Sequence, residues 1–173
     1  MHLLPLMAIL LLNARAAELQ IEANIRYSHG AQTVLDILQP RAPALKNRVG
    51  VIVIHGKDGS KESVGQSWGK TFVDHGWVVA AVDYGPDEAE EDVHKAAQWL
   101  IQHAAEYRVD PKRIVLCEDH LAHSMAEWDG SIAAVIEFGD ATESRKGAPP
   151  VLNLNGETLS DQVFVWLKKH KIQ

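Results

Sequence analysis

Residues 113–128, RIVLCEDHLAHSMAEW, gather Cys117, Glu118, Asp119, His120, His123, Ser124 and Glu127 into one short stretch. Two kinds of chemistry use such side chains. One is nucleophilic: a serine on a tight turn after a buried strand, activated by a histidine, as in acyl transfer. The other is metal binding: His120, His123 and Glu127 fall at i, i+3 and i+7, so a helix would carry them on one face, with Glu118 or Asp119 nearby. No second histidine pair supports the metal, and the plainer expectation is a polar, solvated helix face beside a site, with no metal or cofactor bound. A second cluster follows the apolar run VGVIVI: His55, Gly56 and Lys57, with Ser60 and Ser63 after them. The two serines read as loop polar groups or helix caps. Cys117 reads as a buried small apolar residue at a strand end.

Positioning these residues falls to the elements around them. VGVIVIHG, WVVAAVDYG and RIVLC are continuously apolar and β-branched, the pattern of strands buried on both faces of a parallel sheet. SIAAVIEFG and PPVLNLNG continue the series. Before them, LQIEANIRY and TVLDILQP read as two shorter strands joined through SHGAQ. Helices fit between the strands. In ESVGQSWGKTFVDHG, Val64, Trp68, Phe72 and Val73 share one side. From Pro86 to Tyr107, Val93, Ala96, Ala97, Leu100, Ile101 and Ala104 keep helical spacing behind an acidic first turn, which suits the positive end of a helix dipole. A last helix is predicted from a Ser160 cap, burying Val163, Trp166 and Leu167 and ending in lysines. Two leading strands followed by alternating strand and helix predict a three-layer α/β/α sandwich with a mostly parallel sheet. Such sheets place their sites beyond the carboxyl ends of the strands, here the loops after Ile54, Val82, Cys117, Phe138 and Leu154.

Composition narrows the class. The chain has 173 residues, 46% hydrophobic and 23% charged, which fits one folded domain rather than a disordered segment. A net charge of -6 with no basic stripe speaks against nucleic acid or an anionic membrane as partner. The first 17 residues carry an apolar run from Leu3 to Leu12 and end in Ala14-Arg15-Ala16-Ala17, which predicts a secretory signal over 1–17 and a single mature domain over 18–173. That run is too short to span a bilayer comfortably, so a secreted or periplasmic protein is expected, with no membrane span after cleavage. The single cysteine can form no internal disulfide, so stability must come from the core.

Taken in order, VIVIHGKDGS, WVVAAVDYG, DVHKAAQWLIQHAAEYRVDPKRIVL and PPVLNLNGE resemble the α/β-hydrolase fold, in particular carboxylesterases of the hormone-sensitive-lipase-like and feruloyl-esterase-like groups. The resemblance runs from about Ile25 to the C-terminus. It implies hydrolysis of carboxylic esters through an acyl-enzyme, with a small-molecule ester as partner and no cofactor. His55-Gly56 matches the family's oxyanion turn, with the amides of Gly56 and Lys57 as donors. The family's nucleophile motif, Gly-x-Ser-x-Gly, is absent. An ungapped register puts Glu118, His120 and Ala122 at its three defining positions. A shifted register makes AHSMA the elbow and Ser124 the nucleophile, at the cost of carrying the strand through Glu118, Asp119 and His120. In a third, HLA opens the following helix and the elbow is deleted. The base is one of His120, His123 or His55, because no histidine lies between His123 and His170. Where the family has its acid, in a Gly-x-x-Asp context after VLNLNG, this chain has Leu159, so Asp161 or Glu157 would have to stand in. The cap region and at least one helix–strand connection are missing. The alternative is a non-catalytic secreted binding or accessory protein that keeps the fold. The oligomeric state is not encoded in any motif.

Overall fold

The computed structural model describes residues 18–30, 32–41, 48–56, 58–119, 130–138, 149–154 and 161–172. Seven strands form one sheet: β1 (Leu19–Arg26), β2 (Val34–Pro40), β3 (Arg48–Ile54), β4 (Val78–Val82), β5 (Val109–Asp119), β6 (Ile132–Phe138) and β7 (Val151–Asn153). Their order across the sheet is β1-β2-β4-β3-β5-β6-β7. β1 with β2 and β2 with β4 run antiparallel; every other pairing is parallel. The expected layers are present. On one face, Val64, Phe72, Val73, Val163, Phe164 and Leu167 of the flanking helices pack on Val51, Val53, Val79, Val115 and Ile136 of the sheet. On the other, Val93, Ala96, Ala97 and Leu100 cover Ile52, Ile54, Ala80, Ile114 and Leu116. Both sides of β3 and β4 are therefore sealed, which is why their sequences are apolar without alternation.

Four local expectations change. The helix from Pro86 to Tyr107 is shorter, α3 (Ala89–Gln102). Glu88 in front of it is not helical and provides no side-chain cap. At the other end the chain turns through Arg108, at φ 57, where the Val109 amide donates to the Ala104 carbonyl at 2.8 Å. The helix after β3 is divided into α1 (Lys61–Val64), a π-helical turn (Gly65–Gly69) and α2 (Lys70–Asp74). Gly65 and Gly69 lie against the sheet, where a Cβ on either would touch Leu38. The last helix, α4 (Asp161–Lys169), buries Phe164 with Val163 and Leu167; Trp166 is only partly buried and its ring lies tilted against that of His170, just past the helix end. Finally, β5 does not stop at Cys117. It pairs with β6 through Glu118↔Glu137 and Asp119↔Phe138, and both glutamates are fully enclosed. The backbone ladder to β6 carries acidic residues into the buried sheet, contrary to the expectation that such a strand excludes them.

Among the described residues no helix is long and apolar enough to cross a membrane. Residues 1–17, where a secretory signal is expected, lie outside the described residues.

Candidate active site

The chain reaches β3 at the centre of the sheet, crosses to β4 on one side, then returns to β5 on the other. The crevice at this change of direction is where an open α/β sheet places its ligands. The turn after β3 opens there. It starts at His55, which is buried, and continues through Gly56. Gly59 folds back over the strand end: its amide donates to the Gly56 carbonyl at 2.9 Å, and a Cβ at position 59 would lie 2.7 Å from the His55 Cβ. No larger residue fits without moving the turn. Ser60 and Ser63 then cap α1 reciprocally, as a capping box, the cap role among the two expected for them.

A cavity of about 420 Å³ lies over this turn, lined by His55, Gly56, Gly59, Ser63, Ser67 and Trp68 among others. That volume suits a small ligand. Trp68 is held in the wall by stacking on Phe138, at 4.1 Å between ring centroids and 11° between planes, so the π-helical turn is braced against the carboxyl end of β6.

The His55 ring is fixed from several sides. Its Nδ1 lies 2.7 Å from the Gly56 carbonyl oxygen and its Nε2 3.3 Å from Asp83 Oδ1. Tyr84 stacks on the ring at 4.6 Å and donates its hydroxyl to the His55 carbonyl at 2.8 Å. Asp83 Oδ1 also accepts the Lys61 amide at 2.8 Å, and the Asp83 carbonyl accepts the Tyr27 hydroxyl at 2.7 Å. Burial pushes the Tyr27 phenol well above its usual value, aided by the charges of Asp92 and Asp83, so it stays a donor. Beneath the turn, the enclosed Lys61 ammonium lies 3.1 Å from Asp36 Oδ1, and Asp92 Oδ2 accepts the Gly85 amide at 2.9 Å.

His55 and Gly56 lie together in the lining of the cleft. Ser124, His120, His123, Lys57 and Glu157 lie outside the described residues. Asp161 is exposed in the first turn of α4, where its charge suits the helix dipole, and it makes no hydrogen bond or ion pair with the described residues. Cys117 is fully buried, and burial with the neighbouring Glu118 raises its thiol well above the ordinary range, which fits a packing residue. No motif in the sequence marks Asp83, Tyr84 or Lys61. Asp83 and Tyr84 belong to the loop after Val82, one of the five where function was sought, but nothing in DYG states that the aspartate reaches back to His55. Among the described residues no group of three or more His, Cys, Asp or Glu is arranged to hold a metal ion.

A mostly parallel seven-stranded sheet in this order, with helices on both faces and a His-Gly turn opening at the switch point, fits the α/β-hydrolase fold. The chain belongs to the BD-FAE family, whose model matches residues 35–127, more than half of its length and through the region of His120, His123 and Ser124. No curated protein matches it in sequence. Solved structures agree in fold. A bacterial heroin esterase superposes with a TM-score of 0.56 at 18% identity, covering 73% of this chain and 45% of its own. Esterase B from Lactobacillus rhamnosis HN001 gives 0.59 at 19%, covering 72% and 49%. A truncated carbohydrate esterase from gut microbiota gives 0.58 at 18%, covering 71% and 57%. The chain thus spans about half the length of these relatives.

Proposed function

We propose that the protein is a compact hydrolase of small carboxylic esters, working by acyl transfer in the cleft over the His55–Gly56 turn. The observation that carries this is the turn itself: a glycine-dependent loop at the topological switch, opening on a cavity of about 420 Å³. The amides of Gly56 and Lys57 are the oxyanion donors. Ser124 is the nucleophile. The continuation of β5 to Asp119 favours this register, since the strand needed to reach an elbow at AHSMA does pass through Glu118 and Asp119. Ser124 Oγ bonds to the ester carbonyl carbon, its proton passes through a histidine to the departing alcohol, and water then releases the acid. His120 and His123 are the better bases, because both nitrogens of His55 already face oxygen atoms. The test is a fluorophosphonate probe together with a short-chain nitrophenyl ester. Labelling and turnover that disappear in Ser124→Ala are expected; a pure wild-type protein that neither labels nor hydrolyses would refute the proposal.

A second proposal, a non-catalytic relative that binds in the same cleft, is favoured by the exposure of Asp161 in the first turn of α4 and by the tied His55 ring. It predicts that negative result. We also propose export, from the apolar run and small-residue site of residues 1–17; N-terminal sequencing of exported protein is expected to begin at Ala17 or Glu18, and an N-terminus at Met1 would refute it.

A further inference from the structure

We infer that Asp83 is the positioning residue of the oxyanion turn, holding both of its ends with one carboxylate oxygen. The inference rests on the ester-hydrolase proposal for its functional meaning, but its geometry stands alone. The segment from His55 to Lys61 leaves the end of β3 and enters α1. At the near end, Asp83 Oδ1 lies 3.3 Å from His55 Nε2; at the far end, the same oxygen accepts the Lys61 amide at 2.8 Å. The loop between them carries Gly56 and closes on itself through the Gly59 amide. Asp83 is held in turn from the backbone: its amide donates to the Val34 carbonyl at 2.9 Å, and its carbonyl accepts from Tyr27. Tyr84 adds a second grip on His55, through ring stacking and the His55 carbonyl.

Two consequences follow for chemistry. Donors that stabilise a developing oxyanion act through preorganisation: they must already point at the place where charge will appear. A turn pinned at two ends meets that condition, whereas a glycine-containing loop pinned at one would wander. The pin also explains why the chain tolerates a buried histidine here. The ring is the handle by which β4 holds the turn, rather than a base facing substrate. Asp83 touches no reacting atom in this arrangement; it acts through His55 and Lys61.

Amide hydrogen exchange on the ¹⁵N-labelled full chain tests this without requiring turnover. In Asp83→Ala, exchange at Gly59 and Lys61 is expected to rise about tenfold or more, while Val51, Ile52 and Val79 in the sheet keep their protection. In Asp83→Asn, the amide oxygen still accepts from Lys61, so protection there is kept, but the His55 ring ¹⁵N resonances move because the charge opposite Nε2 is gone. Unchanged exchange at Gly59 and Lys61 in folded Asp83→Ala overturns the inference. If that variant does not fold, Asp83→Asn decides alone: unmoved His55 resonances overturn it. Where the wild type turns over ester, Asp83→Ala should lower kcat with KM kept within about twofold, the signature of lost transition-state contacts. A protein that hydrolyses nothing yet shows the exchange changes retains the clamp and loses only the ester-hydrolase proposal.

Discussion

Phe72→Ala is expected to destabilise the protein by about 3–5 kcal/mol, read as a lower urea midpoint with an unchanged slope. Phe72 is fully buried on α2. Its ring stacks on Trp77 at 5.5 Å and meets Phe164 edge-on at 5.9 Å, while Trp77 and Phe164 meet each other at 5.3 Å. Three aromatic rings, from α2, from the residue before β4 and from α4, thus form one cluster in mutual contact, and removing the fully buried one leaves a cavity the remaining two cannot fill. Aromatic contacts add about 0.5–1.5 kcal/mol per pair beyond burial, which places this substitution toward the upper part of the range. Phe72→Leu keeps most of the volume and should cost clearly less. Similar losses for the two variants would mean that the cluster relaxes around the missing ring. The effect should also reach the cleft. Trp68 stands one helical turn before Phe72, and its stacking on Phe138 depends on the π-helical turn staying pressed to the sheet. Weakened Trp68 protection from a fluorescence quencher in Phe72→Ala, at temperatures where the chain is still folded, is the expected sign.

Periodicity exposed the layers of this fold, but not the contacts that fix its site. VGVIVI, WVVAAV and RIVLC announced buried parallel strands because burial on both faces removes any alternation, a local property of each segment. The amphipathic stretch from Val93 to Leu100 announced α3 for the same reason. Boundaries that depend on partners were not legible. β5 runs two residues past Cys117 because β6 offers a ladder to Glu118 and Asp119, which the strand's own residues do not encode. Phe164 takes the interior place assigned to Trp166 because the pocket between Phe72 and Trp77 accepts it. At the site, His-Gly after an apolar strand marked the turn. Asp83 remained silent, since a lone carboxylate after a strand has many uses and its partners, His55 and Lys61, lie more than 20 residues earlier. Glycine was informative where a side chain is excluded by contact, as at Gly59 against His55.

Lys61→Ala is expected to cost about 3 kcal/mol, the low end for breaking a buried ion pair. The Lys61 side chain is 3% exposed and that of Asp36 12%, so removing the ammonium leaves a carboxylate with little water to replace it. The cost stays at the low end because Asp36 Oδ1 also accepts the Asn24 amide at 2.8 Å. Asp36→Ala is the complementary case: the ammonium keeps Glu62 as a partner, but the Asn24 amide, in a left-handed residue at φ 58, loses its acceptor. Replacing both members, Lys61→Met with Asp36→Leu, should recover much of the single-variant loss, because neither charge is then stranded. If the double variant is as unstable as the sum of the singles, the pair is not coupled. The pH dependence has a definite sign at each end. For Lys61, burial lowers the pKa but the hydrogen bonds from Glu62 and Asp36 outweigh it, and the net shift is upward. A raised pKa stabilises below the unfolded value, about 10.4, and the contribution is lost as pH rises through the folded one. For Glu62, the hydrogen bond from Lys61 lowers the pKa to about 2, so its contribution is present above the unfolded value and is lost as pH falls toward 2. The exposed Glu62 side chain keeps the acid arm shallow. The wild type should therefore be most stable between about pH 5 and 10 as far as this cluster is concerned, and Lys61→Ala should flatten both arms of the curve.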